Sequence, residues 1–205
     1  MGFRGGKRLA ALVGKYRERS LLEEYHSVVD SNGTICDLGA NFGSHTVYFA
    51  AIMKARRVHS FEPHAHLIDV TKKTLDLNQI DNVTLHHAVA GAKLGKAHLK
   101  RTHVENSGMA EFRPGAGDLP VDMLPVDDVV GEEHVTGVKI DVEGMQMPVL
   151  RGMSKTIRRC APVLWLELRP AKGEIEQPSE WLAKRGYRRQ KISFRDFLFI
   201  PETSA

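Results

Sequence analysis

Cysteine is nearly absent from the chain, at 2 in 205 residues. Cys36 and Cys160 form no CxxC pair and stand beside apolar neighbours. That argues against a disulfide framework or a thiolate zinc cluster, and free thiols in a reducing compartment are expected. Long apolar runs are lacking as well. The run after the basic start, LAALVG, is too short for a secretory h-region and gives way at once to KYRER. No segment approaches the roughly 20 apolar residues that span a bilayer. Charge of one sign is also missing, because 29 Lys and Arg against 25 Asp and Glu leave a formal +4. The charges are mixed except for the start, MGFRGGKRLAALVGKYRER. Nucleic acid is therefore not an expected partner, and the expected setting is cytoplasmic. The basic first segment is expected to touch a membrane face peripherally or to cover an active site. There are 10 histidines, with His64 and His66 in an H-x-H pair and His86 next to His87. No HExxH or Cys/His cluster accompanies them, so no metal site is expected.

With 42% apolar residues, the chain can bury one sizeable core. A single domain over 1–205 is expected, with an N-terminal helical segment (1–30) before an α/β core (31–205). Residues 7–29 keep a loose helical spacing of Leu9, Leu12, Val13, Tyr16, Leu21, Leu22 and Tyr25. After the turn DSNG, short apolar runs alternate with amphipathic stretches. Strands are predicted over 34–38, 57–61, 83–89, 137–141 and 162–168, and helices near 44–54, 64–77, 145–159 and 178–186. That alternation means right-handed βαβ units and a mostly parallel sheet. The final YRRQKISFRDFLFI reads as an antiparallel hairpin at the sheet edge. The Gly- and Pro-rich segment 101–120 reads as one long irregular loop of the kind that forms lids. Phe42, Tyr48, Phe49 and Phe61 fall at positions expected to pack in the core.

The stretch ICDLGANFGSHT (35–46) reads as a strand, a glycine loop and a helix start. In open parallel sheets the ligand crevice lies at the carboxyl ends of the strands. Gly39 and Gly43 permit a tight turn, and Asn41 is the side chain that best tolerates positive φ. The next strand ends in Glu62, placed to accept hydrogen bonds from the two hydroxyls of a ribose. Asp37, expected at the loop's mouth, would oppose a pyrophosphate but favour the ammonium and sulfonium of S-adenosylmethionine. A methyl donor is thus preferred to a dinucleotide.

DLGANFGSHTVYFA, VHSFEP, NVTLHHAVAG, LPVDDVV, VKIDVEGMQMPVLRGM and VLWLEL resemble, in order and spacing, the FkbM-type S-adenosylmethionine-dependent methyltransferases. The resemblance covers about residues 33–169, and KIDVEG is its most specific part. It implies the class I methyltransferase fold: a Rossmann-like, three-layer α/β fold whose mostly parallel seven-stranded sheet has an antiparallel last strand. It implies transfer of a methyl group to a hydroxyl of a small molecule or glycan, such as a polyketide or sugar. Asp37, Gly39, Asn41 and Gly43 would line the methionine and ribose side, Glu62 would take the ribose hydroxyls, and Val89 would flank the adenine. Two positions depart from the family pattern: Gln146 stands where a Glu is common, and AGAK follows the AV run where an acid is usual.

Asp141 and Glu143 match the acids of the family's D-V-E-G element. Either is a candidate base that orients the acceptor, and Glu167 at the end of the fifth strand is a third. Asp141 could instead cap the following helix, and Glu143 could instead pair with a nearby cation. Lys139 is expected to point back along the sheet and pair with an acid. Two other readings remain beside O-methyl transfer: an RNA methyltransferase, suggested by the basic start, and a catalytically silent donor-binding module, suggested by Gln146.

Overall fold

The computed structural model describes residues 18–100, 111–114 and 120–202. Along the chain the elements are α1 (Arg19–His26), β1 (Thr34–Leu38), α2 (Ser44–Val47, continued by a π-helical turn over Tyr48–Ile52), β2 (Arg57–Phe61), α3 (Ala65–Leu77), β3 (Val83–His86), β4 (Ala88–Ala90), β5 (Gly95–Lys100), β6 (Glu111–Pro114), β7 (Pro120–Leu124), α4 (Val126–Val130), β8 (Val135–Ile140), α5 (Gln146–Gly152), α6 (Ser154–Cys160), β9 (Val163–Glu167), α7 (Glu176–Ala183), β10 (Tyr187–Lys191) and β11 (Asp196–Pro201). Every residue of β1 and β8 is buried. That is the signature of central parallel strands covered on both faces.

Seven strands form the main sheet in the order β10-β11-β9-β8-β1-β2-β3. β1, β2, β3, β8 and β9 pair in parallel, whereas β11 is antiparallel to both β9 and β10. The expected hairpin is therefore present, and its reversed strand lies one place in from the edge. The chain order switches direction between β1 and β8, which opens a crevice at their carboxyl ends.

Period-two alternation splits the core between the two faces. Cys36, Leu38, Val138, Ile140, Leu164 and Leu166 pack with Val149, Leu150, Met153 and Ile157 of α5, Met153 and α6. Ile35, Val58, Trp165 and Leu198 pack on the other face with Leu22 and Tyr25 of α1 and with Phe49. Tyr25 is the hub there, its ring centroid 5.6 Å from both Phe49 and Trp165. Full burial of each such Leu, Val or Phe contributes about 1.5–3 kcal/mol. Both cysteines are free, with Cys36 buried and Cys160 half-buried, and burial pushes the Cys36 thiol well up.

Three expectations are corrected. The run 83–89 is two strands: β3 ends at His86 against Phe61, and β4 leaves for a second sheet by pairing Ala88 with Asp122. That second sheet, ordered β4-β7-β5-β6, was not foreseen. Its strands are short, and Pro114 and Pro120 stand at strand ends, where proline is tolerated. The segment 101–120 thus contains β6 and the first residue of β7, while 101–110 and 115–119 lie outside the described residues. The helix expected over 145–159 breaks into α5 and α6 around Met153. Of the predicted helix over 7–29, only the part from residue 18 on lies within the described residues, and Arg19–His26 is helical. Among the described residues, no helix is long and apolar enough to cross a membrane.

Gly152 joins the two sheets through α5. A Cβ there would lie 1.9 Å from the Gly91 carbonyl oxygen, in the turn that follows β4. Gly152→Ala is expected to lower stability by about 1–3 kcal/mol, the usual overpacking penalty. Urea unfolding would read it, and an unchanged midpoint would contradict this close backbone contact.

Candidate active site

The glycine loop hangs from β2: the Gly39 and Ala40 amides both donate to the Phe61 carbonyl at 3.0 Å. Gly39 has φ +87°, and a Cβ there would lie 1.9 Å from the Asp141 carbonyl oxygen, so only glycine lets β1 and β8 end this close together. Asn41 takes φ +51°, as its residue type allows. Its amide donates to Glu62 Oε2 at 2.8 Å. The other Glu62 oxygen accepts from the His64 amide at 2.9 Å and contacts His64 Nδ1 at 2.7 Å. Glu62 thus shapes the loop as well as facing the crevice.

A cavity of about 600 Å³, open to solvent, lies over these strand ends. Gly39, Asn41, Glu62, Val89, Asp141 and Glu143 all line it, together with Phe61, His64 and Met145. Three predicted residues are not on its wall. Gly43 caps α2 and backs onto α3, where a Cβ would meet Thr71 Cγ2 at 2.4 Å. Glu167 lies beyond Asp141, half-buried. Asp37 corrects an expectation: it is not at the loop's mouth but fully buried. Its Oδ2 accepts from Thr46 Oγ1 at 2.6 Å, and its Oδ1 faces Lys139 Nζ at 3.9 Å. Strand parity is the reason, since Asp37 shares the face of Ile35 that α1 and α2 cover. Phe42 is corrected too, being 58% exposed on the loop instead of packed in the core.

The carboxylates are sorted by their partners. Lys139 does pair with an acid as expected: buried on β8, it sits 3.1 Å from Asp141 Oδ2. Burial opposes charge on Asp141, yet Lys139 beside it holds the carboxyl below its ordinary value. Glu167 is pushed up to about 7, by burial first and then by the Asp141 charge. Glu143 pairs with Arg169, whose other guanidinium edge holds Glu174. Gln146 is buried and donates to the Glu167 main-chain oxygen at 3.3 Å, so its amide has a local task. Arg169 was missed in the sequence and His64 was read only as part of an H-x-H pair, although each stands two residues after a strand-end acid, Glu167 and Glu62.

The paired histidines have protein partners. His86 Nε2 lies 3.0 Å from His59 Nδ1, and His87 Nε2 lies 3.0 Å from the Pro63 oxygen. Burial and the neighbouring His59 push His86 down to about 4. Among the described residues, no three His, Cys, Asp or Glu side chains gather to hold a metal ion.

A parallel sheet with one reversed strand beside β9, a glycine loop after β1 and an acid after β2 define the class I S-adenosylmethionine-dependent methyltransferases. The family model for the methyltransferase FkbM domain matches residues 37–189, and the chain belongs to that family. Methyltransferase 1 of Beauveria bassiana is 23% identical over 177 residues, covering 75% of this chain and 71% of that protein. The crystal structure of methyltransferase FkbM from Methylobacillus flagellatus KT superposes with a TM-score of 0.62 at 17% identity, over 97% of this chain and 55% of that one. This chain therefore spans about half the length of that structure. A methyltransferase from Streptococcus mutans, solved with SAH, superposes with a TM-score of 0.55 at 13% identity, over 90% of this chain and 96% of that one. An rRNA methylase from Streptococcus thermophilus gives 0.56 at 15% identity, over 90% and 95%. At such identities the structural likeness speaks to the fold.

The cavity suits the family's donor. Among the described residues, its wall carries the acids Glu62, Asp141 and Glu143 and no Lys or Arg, which fits a cationic ligand with sugar hydroxyls and opposes a pyrophosphate. Asn41 Oδ1 is a buried acceptor without a partner among the described residues.

The raised Glu167 has a stability consequence. Between the ordinary glutamate value of 4.5 and about 7, the folded chain holds a proton that the unfolded chain has released. Stability therefore falls as pH rises through that window. The lowered Asp141 acts with the opposite sign, its contribution being lost on acidification. Glu167→Gln is expected to show a smaller fall in Tm between about pH 5 and about pH 7.5 than the wild type. Equal slopes in scanning calorimetry would contradict the protonated Glu167.

Proposed function

We propose that the chain transfers a methyl group from S-adenosylmethionine to a hydroxyl oxygen of a small molecule or glycan, with residues 31–202 acting as one catalytic core. The observation that carries this reading is the cavity over the strand ends, where the glycine loop, Glu62 and the acids Asp141 and Glu143 come together. A hydroxyl is a poor nucleophile at neutral pH, and a base is most effective when its pKa lies near the working pH.

Bound S-adenosylmethionine supplies an activated methyl group on a sulfonium. Glu62, fixed by two backbone amides, would accept from the ribose hydroxyls. Val89 would flank the adenine, and Gly39 would leave room for close approach of the ligand to the loop. Asn41 Oδ1 and the cavity acids offer acceptors to the ammonium. Asp37 acts at a distance, through its charge and its hold on Thr46. On the acceptor side, Asp141 on the cavity wall would orient the acceptor hydroxyl, and Glu167 at the end of the neighbouring strand would be the base that takes its proton. Glu143, its charge already taken by Arg169, shapes the acceptor's entry. This order differs from the expectation that placed Asp141 or Glu143 first. The acids facing the crevice also favour a hydroxyl-rich acceptor over a phosphate-rich one.

The test is mass spectrometry after incubation with methyl-deuterated donor and a panel of sugars, hydroxylated natural products and bulk RNA. Label on a hydroxyl of a small molecule or glycan is expected, and label confined to RNA or to amines would overturn the reading. Glu62→Ala is expected to weaken SAH binding by about 10- to 100-fold in calorimetry, the range for losing charged hydrogen bonds. Glu167→Gln should leave SAH affinity within about twofold and lower turnover by about 100-fold or more.

A further inference from the structure

Methyl transfer consumes a positive charge. The electron pair of the breaking carbon–sulfur bond stays on sulfur, so the cationic donor leaves behind a neutral thioether, SAH. A bare carboxylate beside the sulfonium would hold the donor more tightly than the transition state, and that slows the chemical step. Among the described residues, the cavity wall carries three acids and no Lys or Arg. Two cations nevertheless stand behind it: Lys139 lies 3.1 Å from Asp141 Oδ2, and Arg169 pairs with Glu143 Oε2.

Arg169 is fixed for that task. It stands two residues past the end of β9, and its side chain is 14% exposed. Its Nε donates to both Glu174 carboxylate oxygens at 3.0 Å, its Nη2 reaches Oε1, and its main-chain amide donates to Oε2 at 2.9 Å. Gln146, the first residue of α5, donates to the same Oε2 at 3.4 Å and to the Glu167 main-chain oxygen at 3.3 Å. A carboxylate at position 146 could supply neither bond, so the neutral amide is part of the clamp. Glu174, after the helical turn Pro170–Lys172, is not on the cavity wall. It holds one edge of the planar guanidinium, and Nη1 is left to face Glu143.

We propose that Arg169 is a specificity-determining residue of the donor site: pairing with Glu143 from behind the wall, it cancels the pull of that acid on the sulfonium and sets the preference of the cavity for S-adenosylmethionine over SAH. This rests on the methyl donor and not on the hydroxyl acceptor proposed above. Glu143 is the wall acid where the effect is separable. Lys139, behind Asp141, is shared with the wholly buried Asp37 at 3.9 Å, so its removal would strand a core charge. Glu62 is met by the Asn41 and His64 amides and by His64 Nδ1. The Glu143 side chain is 24% exposed, so its pairing with Arg169 is only partly screened by water.

The full-length chain would be titrated with S-adenosylmethionine and with SAH in calorimetry at pH 8, well above the ordinary glutamate range, so that a freed Glu143 is ionised. The two ligands share their ammonium, carboxylate, ribose and adenine, and the ratio of their affinities isolates the sulfonium charge. Arg169→Met is expected to raise the preference for S-adenosylmethionine about fivefold or more. Glu143→Gln, which leaves Arg169 without its partner on the wall, is expected to lower it. The double variant Arg169→Met/Glu143→Gln should return to within about twofold of the wild-type ratio, and so should Arg169→Lys, which keeps the charge. Should Arg169→Met not fold, as judged by Tm, Arg169→Met/Glu174→Gln takes its place with the same expected rise, since it leaves no acid stranded behind the wall. An unchanged ratio on loss of Arg169, with or without a loss of affinity common to both ligands, reduces Arg169 to structural support and overturns the proposal. So does a raised preference that persists when Glu143→Gln is added, or an Arg169→Lys variant that behaves as Arg169→Met does. Binding requires no acceptor, so a failure of the O-methyl transfer reading would show in the labelling experiment and leave this result unchanged.

Discussion

The buried ammonium of Lys139 holds two carboxylates, with Asp141 Oδ2 at 3.1 Å and Asp37 Oδ1 at 3.9 Å. Asp37 on β1 is wholly out of water, and Asp141 follows the end of the adjacent β8. Without the cation between them, the Asp37 charge would be stranded in the core. Removing one member of a buried ion pair commonly costs about 3–5 kcal/mol, because the remaining charge is stranded. The charge of Lys139 thus ties the ends of β1 and β8 together electrostatically at the point where Gly39 ties them sterically.

Glu62 plays the corresponding role on the other side of the crevice. It collects the Asn41 and His64 amides, so the glycine loop after β1 and the start of α3 are drawn to one carboxylate. A residue placed to bind a ligand is therefore also a structural joint, and the loop's conformation is set before any ligand arrives. Such preorganisation reduces the entropy lost on binding.

The second sheet completes the wall. β4 carries Val89 into the cavity, and Val89, Ala97, Val121 and Met123 pack with Met145, just after the D-V-E-G stretch. The histidines near β2 and β3 form a hydrogen-bonded pair, His59 with His86, with Phe61 stacked at 4.5 Å from the His86 ring. That stack buttresses the cavity wall at Phe61 without offering a set of metal ligands.

Much of the fold was legible in the chain itself. The runs at 34–38 and 57–61 coincide with β1 and β2, whose mostly buried residues leave short apolar runs between turn and helix signals. Asn41 at positive φ followed from the limited choice of side chains that accept it. The small sheet was not legible, since its short strands gain their partners only from distant segments. The acids of the site were all visible, and so was the tendency of Lys139 to seek one of them. Their protonation was not, because a carboxyl group's charge depends on neighbours supplied by other strands. The sequence by itself determined the parallel sheet, the glycine loop and the set of acids; only the tertiary structure decided that Asp37 is buried, that Glu143 is paired with Arg169, and that Lys139 lies against Asp141. Local pattern specifies which groups are present, whereas burial and long-range pairing specify what each of them can do.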